Sequence, residues 1–190
     1  MPRGARDTAR PFPSGDNDMT IEKVWDPFIR VFHWSLLILM SANAFVLDDE
    51  SKFHRWVGYT IAGLLAARII WGFVGPRYAR FSSFPPSARG CVEQLTDLVS
   101  GRRTIHLGHT PLGALMIYNL FLSVAVICLS GYLMTTDMFW GVEWPEEVHE
   151  AAVTWVKISV VLHVAAVVIE SMRTKVNLPR AMVTGYKKFP

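Results

Sequence analysis

Four of the six histidines stand at the ends of, or inside, long apolar runs. His149 and His163 lie fourteen residues apart in VHEAAVTWVKISVVLHVAAVVIESM, Val148 to Met172. In a helix that is about four turns, so the rings fall within roughly 40° of one face and about 21 Å apart along the axis. Ala151 to Ile169 is apolar apart from Lys157, His163 and small hydroxyls. With its flanks, this run is long enough to cross about 30 Å of hydrocarbon. An ionisable side chain inside such a run is costly, and it points to function. Imidazole there can ligate a metal or relay a proton, and the ring it faces decides which.

The elements that must position these rings are membrane helices. The chain is 51% hydrophobic and only 18% charged, against roughly 25% charged for soluble domains. The expected architecture is all-α: one integral-membrane four-helix bundle over residues 21–190, preceded by a tail, 1–20. That tail is rich in Pro, Gly and Arg and reads as disordered. It lacks the apolar core of a cleaved signal peptide, so the first span is expected to direct insertion, with Met19 an alternative start. The spans are read at about 28–47, 53–75, 111–134 and 149–172. His33 opens the first, followed by Trp34 as an interfacial anchor. His54 opens the second, where Gly58, Ala62 and Gly63 suit close approach of a helix or cofactor. Pro111 fits the first position of the third. Weak helical periodicity over Ala88–Val99 predicts a short interfacial helix between spans two and three.

Charge sets the topology and so the depth of each histidine. The segment through Arg30, the connection 76–109 and the tail after Ile169 carry five Lys or Arg each. The other two connections carry Lys52 and Arg55 against eight acids: Asp48, Asp49, Glu50, Asp137, Glu143, Glu146, Glu147 and Glu150. The positive-inside rule places both termini in the cytoplasm, and four spans satisfy that parity. His33 and His163 then share the inner level; His54 and His149 share the outer one. Two imidazoles facing each other across a bundle are what six-coordinate b-type haem requires. A lone histidine at the edge of a span is as readily an interfacial polar residue, so the argument rests on the set of four. Covalent c-type haem is excluded because no CxxCH occurs.

Other polar groups follow from these depths. Arg68 lies fourteen residues after His54, on nearly the same face at the inner level. It would neutralise a haem propionate or a quinone oxygen there, or else snorkel to the interface. Arg55 and Lys52 could serve an outer haem. Lys157 lies about 12 Å inward of His149 and some 80° off the histidine face, with no acid at its depth. A polar helix contact or water is expected for it. His106 and His109 fall in the cytoplasmic connection and read as solvated or structural. Cys91 and Cys128 read as free thiols. Nothing points to a nucleic-acid partner.

In sequence the chain resembles the bacterial cytochrome b561 family, related to the cytochrome b subunits of nickel–iron hydrogenases. The resemblance is carried by VWDPFIRVFHW (Val24–Trp34), HRWVGY (His54–Tyr59), ARIIWGFVGPRYARFSSF (Ala67–Phe84), LGHTPLGALM (Leu107–Met116), EEVHEA (Glu146–Ala151), LHVAAVVIES (Leu162–Ser171) and NLPRAMVTGYKK (Asn177–Lys188). It implies four transmembrane helices, two b haems ligated by His33, His54, His149 and His163, and electron transfer in the bacterial inner membrane, often from quinol. Lys157 stands where such proteins usually carry an apolar residue. The expected role is an electron carrier of a respiratory chain rather than an enzyme in its own right. Its expected partners are the lipid bilayer, the quinol pool, and a c-type cytochrome drawn by the acidic outer loops or a redox enzyme complex. Two alternatives stay open: a proton or metal-ion transporter using the histidine ladder, and a haem-bearing anchor subunit.

Overall fold

A computed structural model describes residues 20–102 and 108–189. The expected tail 1–20, apart from Thr20, lies outside the described residues, as does His106. Four helices are long and apolar enough to cross a membrane: α1 (Pro27–Phe45), α2 (Lys52–Val74), α4 (Pro111–Leu133) and α5 (Trp144–Thr174). Between α2 and α4 lies α3 (Ala88–Val99), the short helix that periodicity predicted. After α5 come α6 (Leu178–Thr184) and a strand, β2 (Tyr186–Phe189), which pairs antiparallel with β1 (Thr20–Lys23).

Local chemistry sets where each helix begins, and so the rotational phase of its histidine. Asp26 Oδ1 accepts from Ile29 N at 3.2 Å, and Pro27 occupies the first position of α1. Ser51 Oγ accepts from the backbone N–H of His54 itself at 3.1 Å. Thr110 Oγ1 accepts from Gly113 N at 3.1 Å, with Pro111 beginning α4. Each cap satisfies one of the donors that a helix start leaves without a partner. α5 differs from the expected 149–172. It starts five residues earlier, because Pro145 sits in its first turn with Glu146 and Glu147, which suit the positive end of the helix dipole. His149 is therefore inside a formed helix, not at its edge.

The helices pack as a chain: α1 on α2, α2 on α4, α4 on α5. Contact between α1 and α5 is not extensive. The mid-depth core is Ile61, Leu65 and Val124, covered by Leu36, Leu39, Met40, Val57, Phe121, Ala125 and Cys128. One polar clamp crosses α4 and α5. Asn119 Nδ2 donates to Ser159 Oγ at 2.9 Å, and Trp155 Nε1 donates to Asn119 Oδ1 at 2.9 Å. In hydrocarbon, such bonds substitute for the water the groups have lost.

The ends of the described chain meet at the basic end of the bundle. Thr20 pairs with Phe189 and Lys23 with Tyr186. Gly185 makes this closure possible. At φ 89° it ends α6, and its carbonyl accepts from Val24 N at 3.0 Å and Trp25 N at 3.1 Å. A side chain there would clash with the Trp25 carbonyl, since a Cβ would lie 2.8 Å from it.

Candidate functional site

At the acidic end, His54 on α2 and His149 on α5 face each other, with ring centroids 6.4 Å apart and planes inclined by 57°. His149 is held from behind. Its Nδ1 lies 3.0 Å from the Ile127 carbonyl and 3.2 Å from Ser130 Oγ. A carbonyl only accepts, so Nδ1 carries the proton and Nε2 keeps its lone pair. Gly131 lets the ring lie this close to α4, because a Cβ there would sit 3.1 Å from His149 Cε1. His54 is steadied through its backbone, whose carbonyl accepts from Asn43 Nδ2 at 3.2 Å. Its own Nδ1 is buried without a partner. One turn further along α2, Gly58 borders open space: a Cβ there would meet nothing within 4 Å.

This pair fits a metal held between two imidazoles. With metal–nitrogen bonds of about 2.0 Å and a ring radius of about 1.1 Å, two imidazoles on opposite sides of one metal would have centroids about 6.2 Å apart. Among the described residues, no three or more His, Cys, Asp or Glu side chains form a metal-sized cluster. Two protein ligands per metal suit a macrocycle that brings the remaining donors itself.

At the basic end, His33 on α1 lies within electrostatic reach of His163 on α5. The Nδ1 of His33 is also buried without a partner. Arg68 lies further toward this end. It does not snorkel to the interface, since it is 3% exposed. Its guanidinium carbon sits 5.4 Å from the centroid of Phe81 and 5.5 Å from that of Phe121, and Nη2 donates to the Ala79 carbonyl at 3.2 Å. Nη1 is buried without a partner. The cover over Arg68 is the segment 77–84, whose Phe81 rests on Gly72: a Cβ on that glycine would fall 2.2 Å from the Phe81 ring. Arg55 is exposed at the acidic end, and so is Lys52.

His109 is structural rather than solvated. Its ring packs 4.8 Å from Trp25 and 4.3 Å from Phe84, centroid to centroid. Burial, followed by the charges of Lys187 and Arg68, lowers its pKa to about 3. Lys187 itself is 5% exposed. Its Nζ donates to the Gly108 carbonyl at 2.9 Å and lies 5.7 Å from the Trp25 ring centroid. Desolvation lowers its pKa to about 8. The Nζ of Lys157 lies 5.4 Å from the Phe45 ring centroid.

Several of these groups escaped sequence reasoning: Ser130, Gly131, Asn119, Lys187 and the Phe81 cover. For Ser130, Gly131 and Asn119 a signal existed, since each is a polar or small residue inside the apolar run of α4. Nothing local marks Lys187, whose neighbours come from residues far along the chain.

The family described as prokaryotic cytochrome b561 matches residues 24–185. The chain belongs to this family. It is thus a multi-pass protein of the bacterial inner membrane with a b-type haem electron-transfer role. Among curated proteins, it is similar to a probable Ni/Fe-hydrogenase B-type cytochrome subunit of Cupriavidus necator. The two are 23% identical over 211 residues, covering 87% of this chain and 86% of that one. No solved structure matches the chain. Membership agrees with the four long apolar helices, and with the resemblance read from the segments between Val24 and Lys188.

Proposed function

We propose that the chain is a di-haem b electron-transfer subunit of a membrane redox complex. His54 and His149 would hold one haem at the acidic end; His33 and His163 would hold the other at the basic end. The observation that supports this best is the 6.4 Å opposition of His54 and His149, with the second pair fourteen residues deeper on α5. When bound, haem b supplies reversible one-electron chemistry. The chain's own residues set the conditions for it. The Ile127 carbonyl accepts a hydrogen bond from the Nδ1–H of His149, which fixes the tautomer and makes the Nε2 lone pair a better metal ligand. The layer around Ile61, Leu65 and Val124 keeps water from the space between the two levels. The unpartnered Nη1 of Arg68 is assigned to a carboxylate of the basic-end haem, or to the oxygen of a quinone that reaches it. Arg55 is assigned to the acidic-end haem.

Both termini lie in the cytoplasm on this reading, since the basic connections share one end. The partner is a redox enzyme complex, as for the similar probable Ni/Fe-hydrogenase B-type cytochrome subunit of Cupriavidus necator. Quinol would exchange electrons near Arg68. The eight acids of the outer connections suit a basic soluble acceptor such as a c-type cytochrome.

The test is a reduced-minus-oxidised visible spectrum of the purified protein, with haem quantified per chain. Two b haems, neither binding carbon monoxide readily, are expected. His54→Ala and His149→Ala should remove one of them, and His33→Ala and His163→Ala the other. One haem in the wild type would overturn one of the two levels. No haem, from a host that makes it, would overturn the reading in favour of a transporter. An anchor role predicts instead that His33→Ala leaves the activity of an assembled complex intact.

A further inference from the structure

Lys157 is the only Lys, Arg, Asp or Glu between Ala151 and Ile169. A lysine at this depth works against membrane insertion, so its presence asks for a compensating role. Its ammonium lies over the face of Phe45 on α1, 5.4 Å from the centroid. Among the described residues no carboxylate forms an ion pair with it.

Helix geometry places this charge between the two histidine levels. Lys157 is eight residues from His149 and six from His163, so its Cα stands about 12 Å from one level and about 9 Å from the other. Helical side chains lean toward the N-terminus of their own helix. α5 enters from the acidic end and α1 from the basic end, so Lys157 leans outward while Phe45 leans inward, and they meet. That lean carries the ammonium back toward the His54/His149 level. Around α5, Trp155 and Ser159 take the side against α4. Lys157, about 80° from His149 in the other sense, takes the side against α1. It therefore stands on the α1 side of the helix that carries His149, at a depth between the two histidine levels.

We propose that Lys157 is an electrostatic tuning residue for the His54/His149 haem site. This rests on the di-haem reading above. Reduction of a bis-histidine site adds one negative charge to it. A fixed cation about 12 Å along the helix axis from His149, in a low-dielectric setting, favours that added electron, so the site's midpoint potential lies higher than an apolar residue would leave it. The ring face of Phe45 attracts the ammonium and favours this placement of the charge.

The experiment is a potentiometric titration of the haem-loaded protein with dithionite and ferricyanide, following the visible haem bands, for wild type, Lys157→Met and Lys157→Arg. Methionine keeps the apolar length and removes a membrane charge, so the variant retains its haem, which the haem-to-chain ratio verifies. The expected result for Lys157→Met is a tenfold loss in the equilibrium constant for reducing one site, a 59 mV fall for a one-electron couple. That shift persists when His33→Ala has removed the other site. Lys157→Arg keeps the charge and stays near wild type. Haem-loaded Lys157→Met with both midpoints unchanged overturns the inference and leaves the di-haem reading standing. So does an equal fall in Lys157→Arg, since volume and not charge would then matter. A wild-type protein without haem overturns both.

Discussion

Lowering the pH should destabilise this protein through His109, which stands apart from the four histidines proposed to hold haem. His109 packs between Trp25 and Phe84, and the charges that face it are Lys187 from β2 and Arg68 from α2. Burial first, and those two cations second, lower its pKa from 6.5 to about 3. Between those values the unfolded chain binds a proton that the folded chain refuses. Stability therefore falls as pH drops through 6.5 toward about 3, and the full contribution is present above 6.5. The gap of about 3.5 units, at about 1.36 kcal/mol each, amounts to a total on the order of 5 kcal/mol. At pH 4.5, two units into the window, about 3 kcal/mol is lost. The assay is unfolding in detergent, followed by far-UV circular dichroism across pH, for wild type and His109→Phe. Phenylalanine keeps the aromatic packing and cannot bind a proton. Carboxylates titrate in both proteins and cancel in the difference. Below pH 6.5 the difference should change by about 1.4 kcal/mol per unit, with wild type losing more. Parallel pH profiles would refute the reasoning, because they would mean that His109 is protonated in the folded state as easily as in water.

Lys187 gives a second window at the other end of the scale. With its pKa lowered from 10.5 to about 8, the unfolded chain holds the extra proton between those values. Stability should then rise with pH through that window by about 3 kcal/mol, and Lys187→Met should flatten the rise. Asn119→Leu strands Trp155 Nε1 and Ser159 Oγ inside the membrane; a loss of about 1–2 kcal/mol is expected, read as a lower thermal midpoint in detergent. Gly131→Ala puts a methyl 3.1 Å from His149 Cε1. The ring must then retreat from the Ile127 carbonyl, and haem per chain should fall, while Leu→Ala changes on the lipid face of α4 leave it unchanged.

The four membrane helices were legible because burial in lipid needs long uncharged runs, and those runs are written consecutively in the chain. The depth of each histidine was legible for the same reason: a helix converts position along the chain into distance along its axis at a fixed rate. His33 and His163 could thus be assigned to one end, and His54 and His149 to the other, before any packing was known. Charge at the connections, also a local property, supplied the orientation. What the chain carries locally ends there. The 6.4 Å approach of His54 to His149 depends on how α2, α4 and α5 pack, and on a glycine, Gly131, whose role appears only when another helix lies against it. Lys187, seventy-nine residues from the carbonyl it donates to, became a buried cation only through the pairing of β1 with β2. Arg68 had two readings in sequence, snorkelling or buried. The cover formed by residues 77–84 decided between them, because a guanidinium under Phe81 cannot reach water. Periodicity and hydropathy are sums over neighbours in the chain, so they fix depth and face; which group lies opposite is set by neighbours in space.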